Sequence, residues 1–381
     1  MNIKRILVFL FLFGCIGFVH PQNYLPKTDS LRGDIKSIRE KLIFLNDTIQ
    51  NLKLFPTEDE YGHHGFMSRE FALGRFEDWW YSLPWAHYVN YYREYDKNRN
   101  ITSEIWYYKD ESFLQEYRFH YDDRNNLIER QEYWNENELN TSKRYTYDHY
   151  NRMLSELWLD NEDVNEYFFR CFFYDSKDRL IKKVNFSEEG YRSTINLEYN
   201  KQGKQISETV HRLIDWKPTD ETKTRYFQDT LTYIGSRTNY IYDEFSNLVQ
   251  VEGYLRNKAN HIANMYVREK HEYDSRNRRI KIIFPNQDGT VRSYWMYDYL
   301  KDTNFITKEK HFYPNSVDNS LAIEYVYDQN QRIVKLIYDE DNETNIAEFE
   351  YKFDDKGNWY EQLKTVNGKP LYLRKREIIY Y

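Results

Sequence analysis

From residue 91 onward, apolar and polar positions alternate with a period of two. Tyr117, Phe119 and Tyr121 are separated by Arg118 and His120, the pattern of a strand with one aromatic and one polar face. The alternation breaks at Asp122, whose short carboxylate can accept backbone N–H groups two residues on and so start a turn. Four residues after the tyrosine comes Asn125; the equivalent positions hold Asn151, Asp178, Gly203, Asn277 and Gly357. These residue types tolerate positive φ best, as a hairpin loop of three to five residues with a bulge requires. Six residues after the tyrosine, an apolar residue opens a return strand: Ile101, Leu127, Met153, Leu180, Leu248, Ile333 and Trp359.

The unit recurs along the chain. Tyr-Asp pairs anchor it at Tyr95-Asp96, Tyr121-Asp122, Tyr147-Asp148, Tyr174-Asp175, Tyr242-Asp243, Tyr273-Asp274, Tyr297-Asp298 and Tyr327-Asp328. Degenerate copies stand at Tyr199-Asn200 and Phe353-Asp354. The first four intervals are 26, 26, 27 and 25 residues, and a 43-residue interval marks an insertion near 210–239. About ten hairpins joined in series predict a mainly β array over 91–381, an elongated, twisted antiparallel meander.

The first 90 residues follow other periods. Lys4 and Arg5 precede an apolar run from Ile6 to Phe13, and Cys15 and Gly17 are small residues suited to cleavage after Gly17. This predicts a signal peptide over 1–17 and an exported protein; the rival reading is a lipid anchor at Cys15. Leu31, Ile35, Ile38, Leu42, Leu45, Ile49 and Leu52 recur at spacings of three and four, which predicts an amphipathic helical segment over 18–53 packed on the array as a cap. Residues 54–90, with Trp79, Trp80, Tyr81 and Trp85, suit an aromatic-rich N-terminal cap. No later apolar run approaches the ~20 residues of a membrane-crossing helix, so no transmembrane span is expected in the mature chain.

Composition sharpens this picture. The chain has 38 tyrosines among 381 residues and 18 % aromatics, yet its mean hydropathy is −0.93, as expected of a sheet with one aromatic and one wet face. The net charge is −7 with signs interspersed, and no basic stripe suggests a nucleic-acid partner. Once residues 1–17 are removed, only Cys171 remains, so no internal disulfide is expected.

The motif Tyr-Asp-x-x-(Asn/Gly)-(Asn/Arg)-(Leu/Ile) resembles the YD repeat of the Rhs family. It is carried best by residues 121–127, 174–180 and 353–359. The closing stretch, Asn367-Gly368-Lys369-Pro370 and Arg376 to Tyr381, is similar to that of short exported YD-repeat proteins of Bacteroidetes. Large members wind their repeats into a hollow shell around a C-terminal toxin. Ten repeats are expected to be too few to close a shell, and no proline follows an aspartate to give an Asp-Pro cleavage motif. The resemblance therefore implies a periplasmic, outer-membrane-associated or secreted β scaffold, with carbohydrate binding suggested for some relatives.

Catalytic patterns are absent from the sequence. His63-His64 beside Glu58, Asp59 and Glu60 lacks the spacing of convergent metal ligands, and there is neither a phosphate loop nor a nucleophile elbow. No cofactor and no enzymatic activity are expected. The expected partner is a protein or a glycan. For a glycan, the best-placed aromatic residues are Trp134, near a variable turn, and Trp216, in the insertion.

Overall fold

A computed structural model describes residues 31–45, 90–107, 110–135, 137–161, 166–213, 232–255, 265–314, 321–340 and 343–381. They form 22 strands. The first are β1 (Ile35–Phe44), β2 (Asn90–Tyr95), β3 (Ile101–Tyr107), β4 (Phe113–Tyr121), β5 (Leu127–Asn135), β6 (Glu138–Tyr147), β7 (Met153–Asp160) and β8 (Tyr167–Tyr174). Next come β9 (Leu180–Ser187), β10 (Gly190–Tyr199), β11 (Gln205–Leu213), β12 (Thr232–Tyr242), β13 (Leu248–Leu255), β14 (Tyr266–Tyr273) and β15 (Arg279–Pro285). The last are β16 (Val291–Tyr299), β17 (Ile306–Phe312), β18 (Leu321–Tyr327), β19 (Ile333–Glu340), β20 (Glu343–Phe353), β21 (Trp359–Val366) and β22 (Lys369–Tyr380). There is no helix among the described residues. Each strand pairs antiparallel with the next, and β1 pairs with both β2 and β22. The sheet is therefore a closed barrel.

The hairpin at Tyr121 shows the local turn read from the sequence. Asp122 Oδ1 accepts the N–H groups of Arg124 and Asn126 at 2.9 and 2.8 Å, and Asn125 sits at φ 61°. Tyr121 pairs with Leu127 while His120 pairs with Glu129, so a bulge follows every fixed turn and increases the local twist. The tyrosine hydroxyls tie neighbouring repeats together. Tyr121, Tyr147, Tyr174 and Tyr273 donate to the carbonyls of Ile101, Leu127, Met153 and Leu248, each the first residue of the preceding return strand, at 2.8–2.9 Å.

Three expectations are overturned. The array is neither elongated nor open, and the repeats are not too few to close. Twenty-two twisted strands bring the last beside the first, and closure removes both sheet edges. The helical cap is also wrong, because part of that segment is strand β1. A bulge between Ile35 and Ser37 places Ile35 and Ile38, three residues apart, on one face, and Leu42 joins them at an even spacing. The same spacings therefore fit a helix or a bulged strand. The charged Glu40 occupies the inward position between Ile38 and Leu42 and disguises the period of two. Finally, the absence of a transmembrane span was inferred from helix length. A closed barrel overturns that inference, since barrels cross bilayers on strands. The signal peptide, the anchor reading at Cys15, the cap over 54–90 except Asn90, which opens β2, and most of the insertion lie outside the described residues.

Closure also completes an eleventh repeat. Tyr380 pairs with Ile35 and Ile379 with Ser37, as Tyr121 pairs with Leu127 and His120 with Glu129. Tyr381 N donates to Asp34 O at 2.9 Å, the bond that Asp122 N makes to Asn126 O. Gly33, at φ 85°, stands where Asn125 stands in an ordinary turn. One hairpin is thus assembled from two distant segments of chain, with β22 as its outgoing strand and β1 as its return strand.

Candidate functional site

Cross-strand register carries one face of the sheet around the whole ring. Trp106, Arg93, Tyr91, Lys364, Ile38, Ile323, Leu336, Gln362 and Glu40 all lie on it and are among the largest fully buried side chains, which identifies it as the inner face. The outer face carries charge pairs such as Arg144–Glu129 at 2.9 Å and Lys335–Glu348 at 3.3 Å.

The inner wall falls into three arcs. At the seam, Glu40 is fully buried between β22 and β2. Its carboxylate accepts hydrogen bonds from Arg374 Nε, from Arg376 Nε at 2.7 Å and from Tyr91 OH at 2.5 Å. Burial pushes the Glu40 carboxyl up, but the Arg374 and Arg376 guanidiniums outweigh it and hold the pKa at about 2. Both guanidiniums lie over the Trp359 ring, at 4.7 and 3.6 Å from its centre. On β2 and β3, Glu104 receives Arg93 Nε at 2.7 Å and Trp106 Nε1 at 2.7 Å. These charges are hydrogen-bonded as well as paired, the condition on which buried ions are tolerated.

The second arc, over β4–β9, is ionic. Arg130 lies 4.3 Å from the Tyr117 ring centre, Thr141 Oγ1 donates to Glu132 at 3.2 Å, and Glu156 is shared by Lys143 at 4.0 Å and Arg170 at 3.3 Å. Arg170 Nε also donates to Asn185 Oδ1 at 2.8 Å. Burial, then the neighbouring Arg130, pushes the Lys143 ammonium down. The third arc, over β13–β20, is aromatic and aliphatic. Val251, Ile282, Ile323, Leu336 and Ala347 are buried there, and His311 stacks on Trp295 with ring centres 4.3 Å apart and planes 7° apart. Burial lowers the His311 imidazole pKa. His271 Nε2 lies 3.3 Å from Glu269 Oε2. Among the described residues, no three His, Cys, Asp or Glu side chains converge as metal ligands do.

Of the two aromatic residues singled out for a glycan, Trp134 is 59 % exposed at the end of β5 by the variable turn, with its Nε1 3.3 Å from Glu132 Oε1. Trp216 lies outside the described residues. The Tyr-Asp pairs are spread around one rim of the barrel. At Tyr297-Asp298 the turn bond belongs instead to Tyr299, whose hydroxyl donates to Arg279 O at 2.6 Å. Beside Phe353, which lacks a hydroxyl, Tyr351 reaches Ile333 O at 3.1 Å. Neither substitution is marked by a Tyr-Asp pair. The inner ionic arc was also missed, because alternating charged residues read as a wet outer face.

No family model matches the chain, and no curated protein matches it. Among solved structures, a Tc holotoxin pore of Photorhabdus luminescens is similar at 12 % identity and a TM-score of 0.25, covering 77 % of this chain and 19 % of that one. The chain thus spans about a fifth of the toxin chain's length. A porin-like protein from Bacteroides uniformis is similar at 10 % identity and a TM-score of 0.27, covering 66 % of this chain and 92 % of that one. One from Bacteroides vulgatus is similar at 9 % identity and a TM-score of 0.19, covering 73 % and 97 %. All of these likenesses are distant.

Proposed function

We propose that this chain is a short, exported YD-repeat protein of the bacterial cell envelope that acts by binding, with the inner wall of its barrel as the binding surface. The observation that carries the reading is the make-up of that wall. Stability alone would be served by aliphatic side chains, yet the inner face commits Arg130, Lys143, Glu156 and Arg170 to one arc and Trp295 and His311 to another. A wall that is ionic on one side and aromatic on the other suits a polar ligand with an apolar face, such as an envelope peptide or a glycan. The basic n-region and apolar run at the N-terminus support export.

The test is a screen of the purified chain from residue 18 against glycan and peptide arrays, with tryptophan fluorescence titration of each hit. Arg170→Gln and Trp295→Phe are expected to weaken a genuine ligand, while Lys335→Gln on the outer face leaves it unchanged. A ligand indifferent to both inner-wall changes would refute the assignment.

A second reading, a carbohydrate module that uses exposed aromatics, rests on the exposure of Trp134. There, Trp134→Ala abolishes glycan binding and Trp295→Phe does not.

A further inference from the structure

We infer that Arg130 and Lys143, opposed on the inner wall across β5 and β6, form an oxyanion subsite that takes a carboxylate or phosphate group joined to an apolar ring. The inference deepens the reading of the inner wall as the binding surface and rests on it. The register carries it. Arg130 and Lys143 are direct cross-strand partners, and like charges in that relation destabilise a sheet. A carboxylate at either place would turn the repulsion into an attraction, yet the chain sets two cations face to face. Aromatic rings continue the same row on both sides: Phe119 is opposite Arg130, Trp158 is opposite Lys143, and Phe168 is opposite Trp158.

The neighbouring carboxylates do not neutralise the pair. Glu132 is engaged by Thr141 Oγ1 at 3.2 Å. Glu156 lies 3.3 Å from Arg170 Nη1 but 4.0 Å from Lys143 Nζ, outside hydrogen-bonding distance. Burial pushes the Lys143 ammonium pKa down, Arg130 pushes it further, and the pull of Glu156 and Glu132 falls short of restoring it. Arg130 is anchored on the wall by the Tyr117 ring, whose centre is 4.3 Å away. The Lys143 side chain is 37 % exposed, so a ligand can reach its ammonium. An oxyanion set between the two cations removes their repulsion and accepts a charge-assisted hydrogen bond from each. Its apolar part lies along Trp158 and Phe168, which follow Lys143 in the row. An uncharged ligand of the same shape gains only the ring contact, so charge is the selective element.

The test is calorimetric titration of the full chain with 1-naphthyl phosphate, 1-naphthoate and their uncharged counterparts 1-naphthol and 1-naphthamide. At least one anion is expected to bind about tenfold or more tightly than its uncharged counterpart, the worth of one charge-assisted hydrogen bond. Tighter binding of the phosphate ester points to a phosphorylated ligand and tighter binding of naphthoate to a carboxylate-bearing one; either carries the proposal. Lys143→Gln is expected to abolish the preference for the anion, and Glu156→Gln, which removes the competing carboxylate, to strengthen it. Lys143→Gln also relieves the repulsion with Arg130, so its melting temperature is expected to equal or exceed that of the parent chain. A lower one makes Lys143 a structural ion-pair partner and overturns the proposal. So does equal binding of charged and uncharged probes, no binding of any probe, or an anion preference untouched by both substitutions. The wall itself is judged by the array ligands. One that is weakened by Arg170→Gln and Trp295→Phe but untouched by Lys143→Gln leaves the inner wall as the binding surface and removes the oxyanion subsite.

Discussion

Replacing Glu40 with glutamine removes one charge and almost no volume from the seam. The carboxylate is fully buried and shared by Arg374, Arg376 and Tyr91. Its pKa falls from 4.5 to about 2 on folding. That depression corresponds to about 3 kcal/mol of native-state preference for the ionised form, in line with the ~3–5 kcal/mol lost when one partner of a buried pair is removed. For a chain of this size that amounts to about 4 °C in melting temperature. The folded pKa is depressed, so the contribution is complete above about pH 4.5 and is lost as pH falls towards 2. Urea titrations of the parent and Glu40→Gln chains between pH 3 and 7 check this. The two curves are expected to lie about 3 kcal/mol apart at pH 7 and to converge as the pH drops. A gap below about 1 kcal/mol at pH 7, or one that does not change with pH, would refute the idea that this ion triad clamps the ring.

Three further outcomes follow from the repeats. Tyr147→Phe and Tyr299→Phe should each cost about 1 kcal/mol by leaving the Leu127 and Arg279 carbonyls without their hydroxyl donors, whereas Tyr297→Phe should spare the turn; thermal melts of the three compare them directly. Asn151, at φ 62°, should accept glycine with a change below about 0.5 kcal/mol but lose about 1–2 kcal/mol as valine, and equal costs would contradict the left-handed turn. Burial raises the Cys171 thiol pKa, so its alkylation by iodoacetamide at pH 8 should be slower than that of a free thiol and should speed up in denaturant; no acceleration on unfolding would contradict this.

The sequence revealed the unit far better than the assembly. Asp122, Asn125 and Leu127 have local jobs, namely accepting two N–H groups, adopting positive φ and starting a strand. Local jobs leave a local signature. Closure is not local. It depends on Ile35, Ile38, Glu40 and Leu42 meeting residues more than 330 positions away, and the buried charge in that set argued against the strand that forms. Tyr299 and Tyr351 were overlooked for a related reason. The physical requirement is a hydroxyl within reach of the preceding carbonyl, and a residue two positions from the expected anchor can meet it from the same face of the strand.

The residue after the left-handed position explains why separate turns behave as one rim. Where it is asparagine, its amide reaches the left-handed residue of the next turn: Asn100 to Asn125, Asn126 to Asn151 and Asn247 to Asn277, at 3.0–3.1 Å. Where it is arginine, it pairs with its own turn aspartate and lies on the next anchor ring: Arg152 on Tyr174, Arg179 on Tyr199, Arg278 on Tyr299 and Arg332 on Phe353. The two side chains solve the same problem differently, by a directional amide bond or by a cation over a ring. At the last turn Asn358 makes the amide version, but to the backbone of Arg32 and to Tyr380 OH. Residues 31–34 thus fill the place of a turn and link the last repeat to Arg99 of the first. Each weak lateral contact is worth on the order of 1 kcal/mol, but in a ring every repeat has two neighbours and no terminal repeat lacks one. The split repeat is the point where that continuity is made, and Glu40 is its buried lock.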